Sequence, residues 1–340
     1  MRVGVYYSNS DLRVEEMSVP EIGEGELLVQ VRASGICGSD VMEWYRRNRT
    51  PLVLGHEIAG EIIEAGKGVK DYKKGDRVTA AHHVPCNVCY YCLNGHHTVC
   101  DTLRKTNFYP GGFAEYIRLP AINVERGLFL LPDEVTFEDA TFIEPLACVL
   151  RGQRLTGMKP GSSVLVIGSG ISGLLHIQLA KAMGAGRIIA TDIVDYRLEA
   201  ASRLGADIVV NAHDDMVSSL RKFNDGRLAD IVITCTGDTG AISQALKSVD
   251  RGGTILVFAP TNEGITIPLS INDLFWRNEI KVVSSYAGSP LDHKVAMELI
   301  RAQRVNVREM ITHRLNLDEI GKGFRLVAEA EESIKVIITF

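Results

Sequence analysis

No apolar run in this sequence approaches the roughly 20 residues that a bilayer-spanning helix needs, so no membrane partner is expected. The first fifteen positions carry Arg2, Asp11, Arg13 and Glu15 among short apolar runs and lack the apolar centre of a secretory signal. No block of one charge sign extends beyond a few residues, and the net charge is −5, which argues against nucleic acid binding by bulk electrostatics. Internal repeats and low-complexity segments are also missing. The seven cysteines are an odd number, and four of them stand at metal-ligand rather than disulfide spacing. That pattern excludes a disulfide framework and fits a reducing cytoplasm. With 46% hydrophobic and 23% charged residues among 340, the chain is expected to be a soluble globular protein long enough for two domains.

The texture changes along the chain. Val3–Tyr7, Glu26–Ala33, Ile58–Glu64, Arg77–Ala81 and Ala114–Leu119 are short runs with β-branched residues, punctuated by glycine and proline. They predict a β-rich domain over 1–145. From Lys159 onward, apolar runs alternate with helix-length spacers: Val164–Ile167, Ile188–Thr191, Ile208–Val210, Ile231–Cys235, Thr254–Phe258 and Lys281–Ser284. This rhythm predicts an α/β domain over 146–285 with a doubly wound parallel sheet in the order 3-2-1-4-5-6. The tail, 286–340, offers one helical stretch (Asp292–Gln303) and a last strand (Ile334–Thr339). It is too short for a domain and is expected to complete the first one.

The first strand of the α/β part runs into Gly168-Ser169-Gly170-Ile171-Ser172-Gly173, followed by a helix to about Met183. Gly168 permits the tight turn, Gly170 lets backbone approach a pyrophosphate, and Gly173 lets the helix close on the strand, with its N-terminus, at Ile171 and Ser172, facing the anion. The next strand ends at Asp192, placed to accept hydrogen bonds from the adenosine ribose and to repel a 2′-phosphate. NAD is therefore expected over NADP. Arg197 flanks the adenine edge or is simply exposed in this reading, with pairing to a phosphate as the alternative. Thr236, Gly237 and Ala259, at later strand ends, are expected beside the nicotinamide.

The cysteines fall into two groups. Cys86, Cys89, Cys92 and Cys100 form C-x2-C-x2-C-x7-C, which can close an all-thiolate shell around a structural zinc ion. Cys37 stands apart in Gly-Ile-Cys-Gly-Ser-Asp, with His56 and Glu57 following in Gly-His-Glu. Mixed S, N and O donors from scattered positions suit a metal with an open coordination place.

These motifs occur in a recognisable order: Gly35–Asp40, Leu54–Glu57, the Cys86–Cys100 lobe, Gly111–Tyr116, Glu144-Pro145-Leu146 and Gly168–Gly173. Over essentially its whole length the chain resembles the zinc-dependent medium-chain dehydrogenases, in the sorbitol (polyol) and threonine dehydrogenase branch. The resemblance implies a GroES-like β domain carrying a catalytic zinc beside a Rossmann domain, hence two zinc ions per chain. It implies Cys37 and His56 as direct ligands and Glu57 and Glu144 as the carboxylates beside them, without deciding which carboxylate oxygen is on the metal. It makes Ser39 the relay hydroxyl for the alcohol proton, and Cys148 a buried thiol rather than a ligand. Asp40 is expected to orient backbone or the His56 ring.

The activity implied is oxidation of a secondary alcohol, a polyol or sugar derivative, to a ketone with hydride transfer to NAD+. L-threonine 3-dehydrogenase and a dehydrogenase of phosphorylated or acidic polyols are alternatives, and a non-catalytic NAD-binding zinc protein is the reading from another class. Relatives carry a histidine where Met42 stands here. Arg46, Arg47 and Arg49 follow as a candidate anion site or a solvated basic face. Trp44, Tyr45, Phe108 and Tyr109 are candidates for the pocket wall or for core. A homo-oligomer, tetramer or dimer, is also implied.

Overall fold

A computed structural model describes all residues, Met1–Phe340. Two compact units emerge: Met1–Ala147 with Ala287–Gln303 and Val307–Phe340, and Cys148–Tyr286 with Arg304–Asn306. No helix is long and apolar enough to cross a membrane.

The first unit is built on a seven-stranded sheet. Its path runs Ile311–Asn316, Lys335–Thr339, Leu27–Gly35, Glu57–Ala65, Arg77–Ala80 and Leu128–Leu130, with Tyr116–Leu119 also pairing to Leu27–Gly35. All pairings are antiparallel except that of Ile311–Asn316 with Lys335–Thr339. A smaller sheet places Arg2–Ser8 between Asp11–Glu16 and Leu52–Val53. The alternation of Val29 and Val31, and of Ile58 and Ile62, sends side chains into one buried core with Ile117 and Leu119, as the two-residue period of a strand requires. A second core gathers Tyr6, Phe113, Phe324 and Ile338.

Two elements of the tail were not visible in the sequence: the strand Ile311–Asn316 and the helix Ile320–Glu329. His313 and Arg314 interrupt the apolar pattern of that strand, which lies at the sheet edge and needs only one buried face. The expected helix forms as Pro290–Arg301, started by a capping box between Ser289 and Asp292 with proline in the first turn.

The second unit holds a six-stranded parallel sheet in the order Ile208–Asn211, Arg187–Asp192, Ser163–Ile167, Ala229–Thr234, Val249–Val257 and Lys281–Ser284. This is the doubly wound order 3-2-1-4-5-6. Ser163–Ile167 is buried along its whole length, as a central parallel strand covered on both faces must be. One connection departs from the expected rhythm. Between the last two strands the chain makes a single helical turn, Ile271–Phe275, rather than a full helix.

Candidate active site and metal centres

The strand Leu27–Gly35 delivers Cys37 to the N-terminus of a short 3-10 helix, Gly38–Val41. Cys37 caps that helix. Its sulfur accepts from Ser39 N and Ser39 Oγ, both at 3.4 Å, while Asp40 Oδ2 accepts from Cys37 N at 3.1 Å. Two donors thus converge on the sulfur that a metal would use. The neighbouring strand begins at Glu57, paired with Gly35, and so brings His56 and Glu57 alongside.

One donor atom each from Cys37, His56 and Glu57 lies within 4.8 Å of the others. Tetrahedral zinc with bonds of about 2.0–2.3 Å spaces its ligands by about 3.3–3.8 Å, so modest closure suffices and the donor set fits the ion.

Asp40 is fully buried, with Oδ1 at 3.6 Å from His56 Nδ1 and 3.5 Å from Arg46 Nη2. It therefore orients both the backbone at Cys37 and the imidazole. Burial by itself would raise the Asp40 carboxyl; His56, Arg46 and the Cys37 N–H outweigh it and hold it below the usual range. Burial would likewise lower His56, but Asp40 and the Cys37 thiolate win and lift it well above the ordinary imidazole value.

Glu57 has a partner that no motif announced. The ammonium of Lys335, in the last strand, is fully buried and contacts Glu57 Oε2 directly. Gly35 stands between them, and a Cβ there would strike both the carboxylate and the lysine. Burial pushes the Glu57 carboxyl up and Glu144 adds to the push, while Lys335 and His56 oppose it. With Oε2 engaged by Lys335, Oε1 is the oxygen left for a metal.

Glu144 stands in the first turn of the helix Ile143–Thr156 and lines a small recess with His82, His83 and His293. The His82 ring lies 4.7 Å from that of His56 and 3.9 Å from that of His83. Burial, then the neighbouring His56, lowers His82 well below the ordinary value, so it is neutral. The Ala-His-His run just before the cysteine lobe was a possible sequence signal for this pair; nothing in the sequence marked His293. Cys148, expected as a buried thiol, is only half-buried, one helical turn beyond Glu144.

Arg46 is drawn inward rather than left as a basic face. Nε donates to Ser39 O at 3.2 Å, Nη2 approaches Ser39 Oγ at 3.4 Å, and the guanidinium stacks over Tyr45 at 4.7 Å. Those contacts hold the guanidinium against Ser39 and Tyr45. Phe108 belongs to the hydrophobic core, and Tyr109 lies exposed beneath Arg118, so neither walls the recess.

The sulfurs of Cys86, Cys89, Cys92 and Cys100 lie within 4.8 Å of one another, and Cys89 and Cys92 are 3.6 Å apart. That spacing fits a tetrahedral sulfur shell. Cys86 N and Cys89 N donate to the sulfurs of Cys100 and Cys86. Although burial opposes it, backbone donors hold the Cys100 thiol down at about 6.

In the second unit, Gly168 has φ +93° and leads into the helix Ile171–Ala182. A Cβ on Gly173 would collide with the Gly168 carbonyl, so the helix can close on the strand only with glycine there. Gly168 also lies against Cys235 and Thr236, and Gly237 against the Pro260 carbonyl next to Ala259. Asp192 Oδ2 accepts from Ser169 N at 2.7 Å and Oδ1 from Val194 N at 3.0 Å. Asp192 thus braces the glycine turn itself, a role not read from the sequence. Arg197 Nη1 lies 3.9 Å from Asp192 and is mostly buried, so it is not simply exposed.

Residues 23–133 match the alcohol dehydrogenase GroES-like domain family and residues 172–302 the zinc-binding dehydrogenase family. Sorbitol dehydrogenase of Bacillus subtilis is 31% identical over 99% of this chain and 97% of its own. L-threonine 3-dehydrogenase of Bacillus licheniformis is 33% identical over 95% of this chain and 94% of its own. Among solved structures, a zinc-binding dehydrogenase of Sinorhizobium meliloti 1021 bound to NADP superimposes with a TM-score of 0.88 at 29% identity, covering 100% of this chain and 99% of that one. With its Cys37–His56–Glu57 set, its four-sulfur lobe and its glycine turn, this chain belongs to the medium-chain zinc-binding alcohol dehydrogenases.

Proposed function

We propose that the protein oxidises a secondary alcohol of a polyol or sugar derivative to a ketone, using zinc and NAD+. The observation that carries this reading is the cluster of Cys37, His56 and Glu57 donors, with Ser39 Oγ bonded to the Cys37 sulfur. Cys37, His56 and Glu57 hold the catalytic ion, and Glu144 borders the recess where the substrate lies. Cys86, Cys89, Cys92 and Cys100 hold a second, structural ion.

When bound, zinc supplies the Lewis acidity that makes the alcohol proton labile, and the nicotinamide supplies the hydride acceptor. Ser39 Oγ, which is half-buried, takes the alcohol proton and releases its own hydroxyl proton to bulk water, so the serine stays neutral. Arg46, on the far side of that hydroxyl, steadies it with a positive charge but cannot receive a proton, because a guanidinium has no free acceptor site. The relay therefore runs without the imidazole that Met42 replaces.

The cofactor pyrophosphate lies over Gly168–Gly173 at the N-terminus of the helix Ile171–Ala182, with Ile171 and Ser172 supplying backbone donors. Asp192 favours NAD over NADP, and Arg197 beside it is the one feature that leans towards a 2′-phosphate. Thr236, Gly237 and Ala259 border the nicotinamide end.

We infer a homo-oligomer, tetramer or dimer. The outer strand Lys281–Ser284 leaves one edge unpaired, with Val282 43% and Trp276 64% exposed. We also infer a reducing, cytoplasmic setting, since none of the seven cysteines is joined in a disulfide.

The test is a panel of sorbitol, xylitol, inositol, 2,3-butanediol and threonine with NAD+ and NADP+, run on protein of measured zinc content. Two zinc ions per chain and polyol turnover with NAD+ support the reading. Preference for threonine moves the assignment to L-threonine 3-dehydrogenase, which the 33% identical relative favours. Two zinc ions and a bound dinucleotide with no turnover of any alcohol would identify a non-catalytic protein.

A further inference from the structure

The recess beside the open site carries an acceptor that the proposed chemistry does not use. His293 sits in the first turn of the helix Pro290–Arg301 and is 3% exposed. Its Nδ1 lies 2.9 Å from the carbonyl of Ser289, and a carbonyl only accepts, so Nδ1 carries the proton. The ring stacks on Phe129 with centroids 5.7 Å apart and planes 9° from parallel, which fixes its orientation. Nε2, at the far end of the ring from the helix, has no protein partner although it is buried. His82 Nδ1 is in the same condition. Both rings line the recess with Glu144. Buried imidazole nitrogens are normally paired, and two unpaired on residues that line one recess mark a place where a ligand completes the hydrogen bonds.

We propose that this recess is the subsite for a second hydroxyl of the substrate, and that His293 Nε2 accepts the hydrogen bond from the hydroxyl next to the reacting carbinol. The inference rests on the polyol reading above and makes it specific: the substrate class is a vicinal diol or longer polyol rather than a monohydric alcohol. A simple secondary alcohol can offer its single hydroxyl to the metal but leaves Nε2 unpaired. A diol satisfies both. Sites that hydrogen-bond a substrate group reject the analogue lacking it, because the buried partner is then left without one.

The experiment compares kcat/KM for 2,3-butanediol and 2-butanol in wild type, His293→Leu and His293→Gln, with thermal melts of each zinc-loaded protein. Wild type should prefer the diol, and the diol-to-monohydric ratio should fall by about tenfold or more in His293→Leu. His293→Gln, which can place an oxygen near the Nε2 position, should recover most of the ratio. His293→Asn keeps a polar group near Nδ1 and none near Nε2, and it reads the same ratio should the leucine variant not fold. An unchanged ratio in folded His293→Leu or His293→Asn, with wild type active, overturns the subsite and leaves the polyol reading standing. A zinc-loaded wild type that turns over neither alcohol nor any longer polyol overturns both.

Discussion

The two cysteine sites of the first unit are assembled in opposite ways. The four-sulfur lobe takes every ligand from Cys86–Cys100, on short helical turns with Val88, Tyr90 and Leu93 each about three-quarters exposed. Arg126 anchors its start at the carbonyls of Pro85 and Cys86; the rest is held by its own sulfurs and a small cluster with Leu103. The open site collects Cys37, His56 and Glu57 from two paired strands and balances them with Asp40, Arg46 and Lys335 before any metal arrives. A locally encoded site depends on its ion for order, whereas a dispersed one is prepared by the sheet and by buried charge pairs. Metal should therefore stabilise the first and activate the second.

The largest expected effect separates those two roles. Cys37→Ser should lose one of two zinc ions and lower kcat/KM by at least about 10³-fold, with little change in melting temperature. Cys100→Ser should lose the other ion and melt at a distinctly lower temperature. Metal analysis with calorimetry reads both, and a Cys100→Ser protein that melts like wild type would break the contrast.

Next in size is the buried ion pair. Lys335→Met strands the Glu57 charge and should cost about 3–5 kcal/mol of stability. Adding Glu57→Gln should recover much of that loss in a denaturant titration. If the single variant is as stable as wild type, the open site is not charge-balanced in advance.

Ser39→Ala should lower kcat by about 10²-fold through loss of the relay hydroxyl. Zinc content should be unchanged, because the Cys37 sulfur keeps its backbone donor from Ser39 N. Loss of metal in that variant would make Ser39 a structural cap instead.

The smallest effect concerns pH. The metal-free site holds His56 protonated, since Asp40 and Cys37 raise its pKa, and a metal must displace that proton. Below the raised value, apparent zinc affinity of the open site should rise about tenfold per pH unit. Competition with a chelator at several pH values measures it on Cys100→Ser protein. A flat profile would mean that His56 is neutral before loading.

Legibility in the sequence followed distance along the chain. The glycine turn could be read because Gly168, Gly173 and the helix they open are neighbours, and the lobe because its cysteines share one short segment. The parallel strands were legible because each contains a short apolar run, and most of those runs are separated by a helix-length spacer. Lys335 was not, because it meets Glu57 only through sheet pairing across 278 positions. His293 was hidden for the same reason, and Arg46 because nothing in a basic run says which guanidinium turns inward. The edge strand Ile311–Asn316 escaped because an edge strand need not be apolar throughout.

The partnership of Glu57 with Lys335 also sets an order of events during synthesis. A ribosome releases the carboxylate hundreds of residues before its counter-ion, so the growing chain carries the metal-binding motif while its buried charge is still uncompensated. Burial of Glu57 is unfavourable until the strand Lys335–Thr339 has joined the sheet. The open site thus closes only once that strand has been made, and a chain cut short before Lys335 would keep its Gly-His-Glu motif without the cation that lets it be buried.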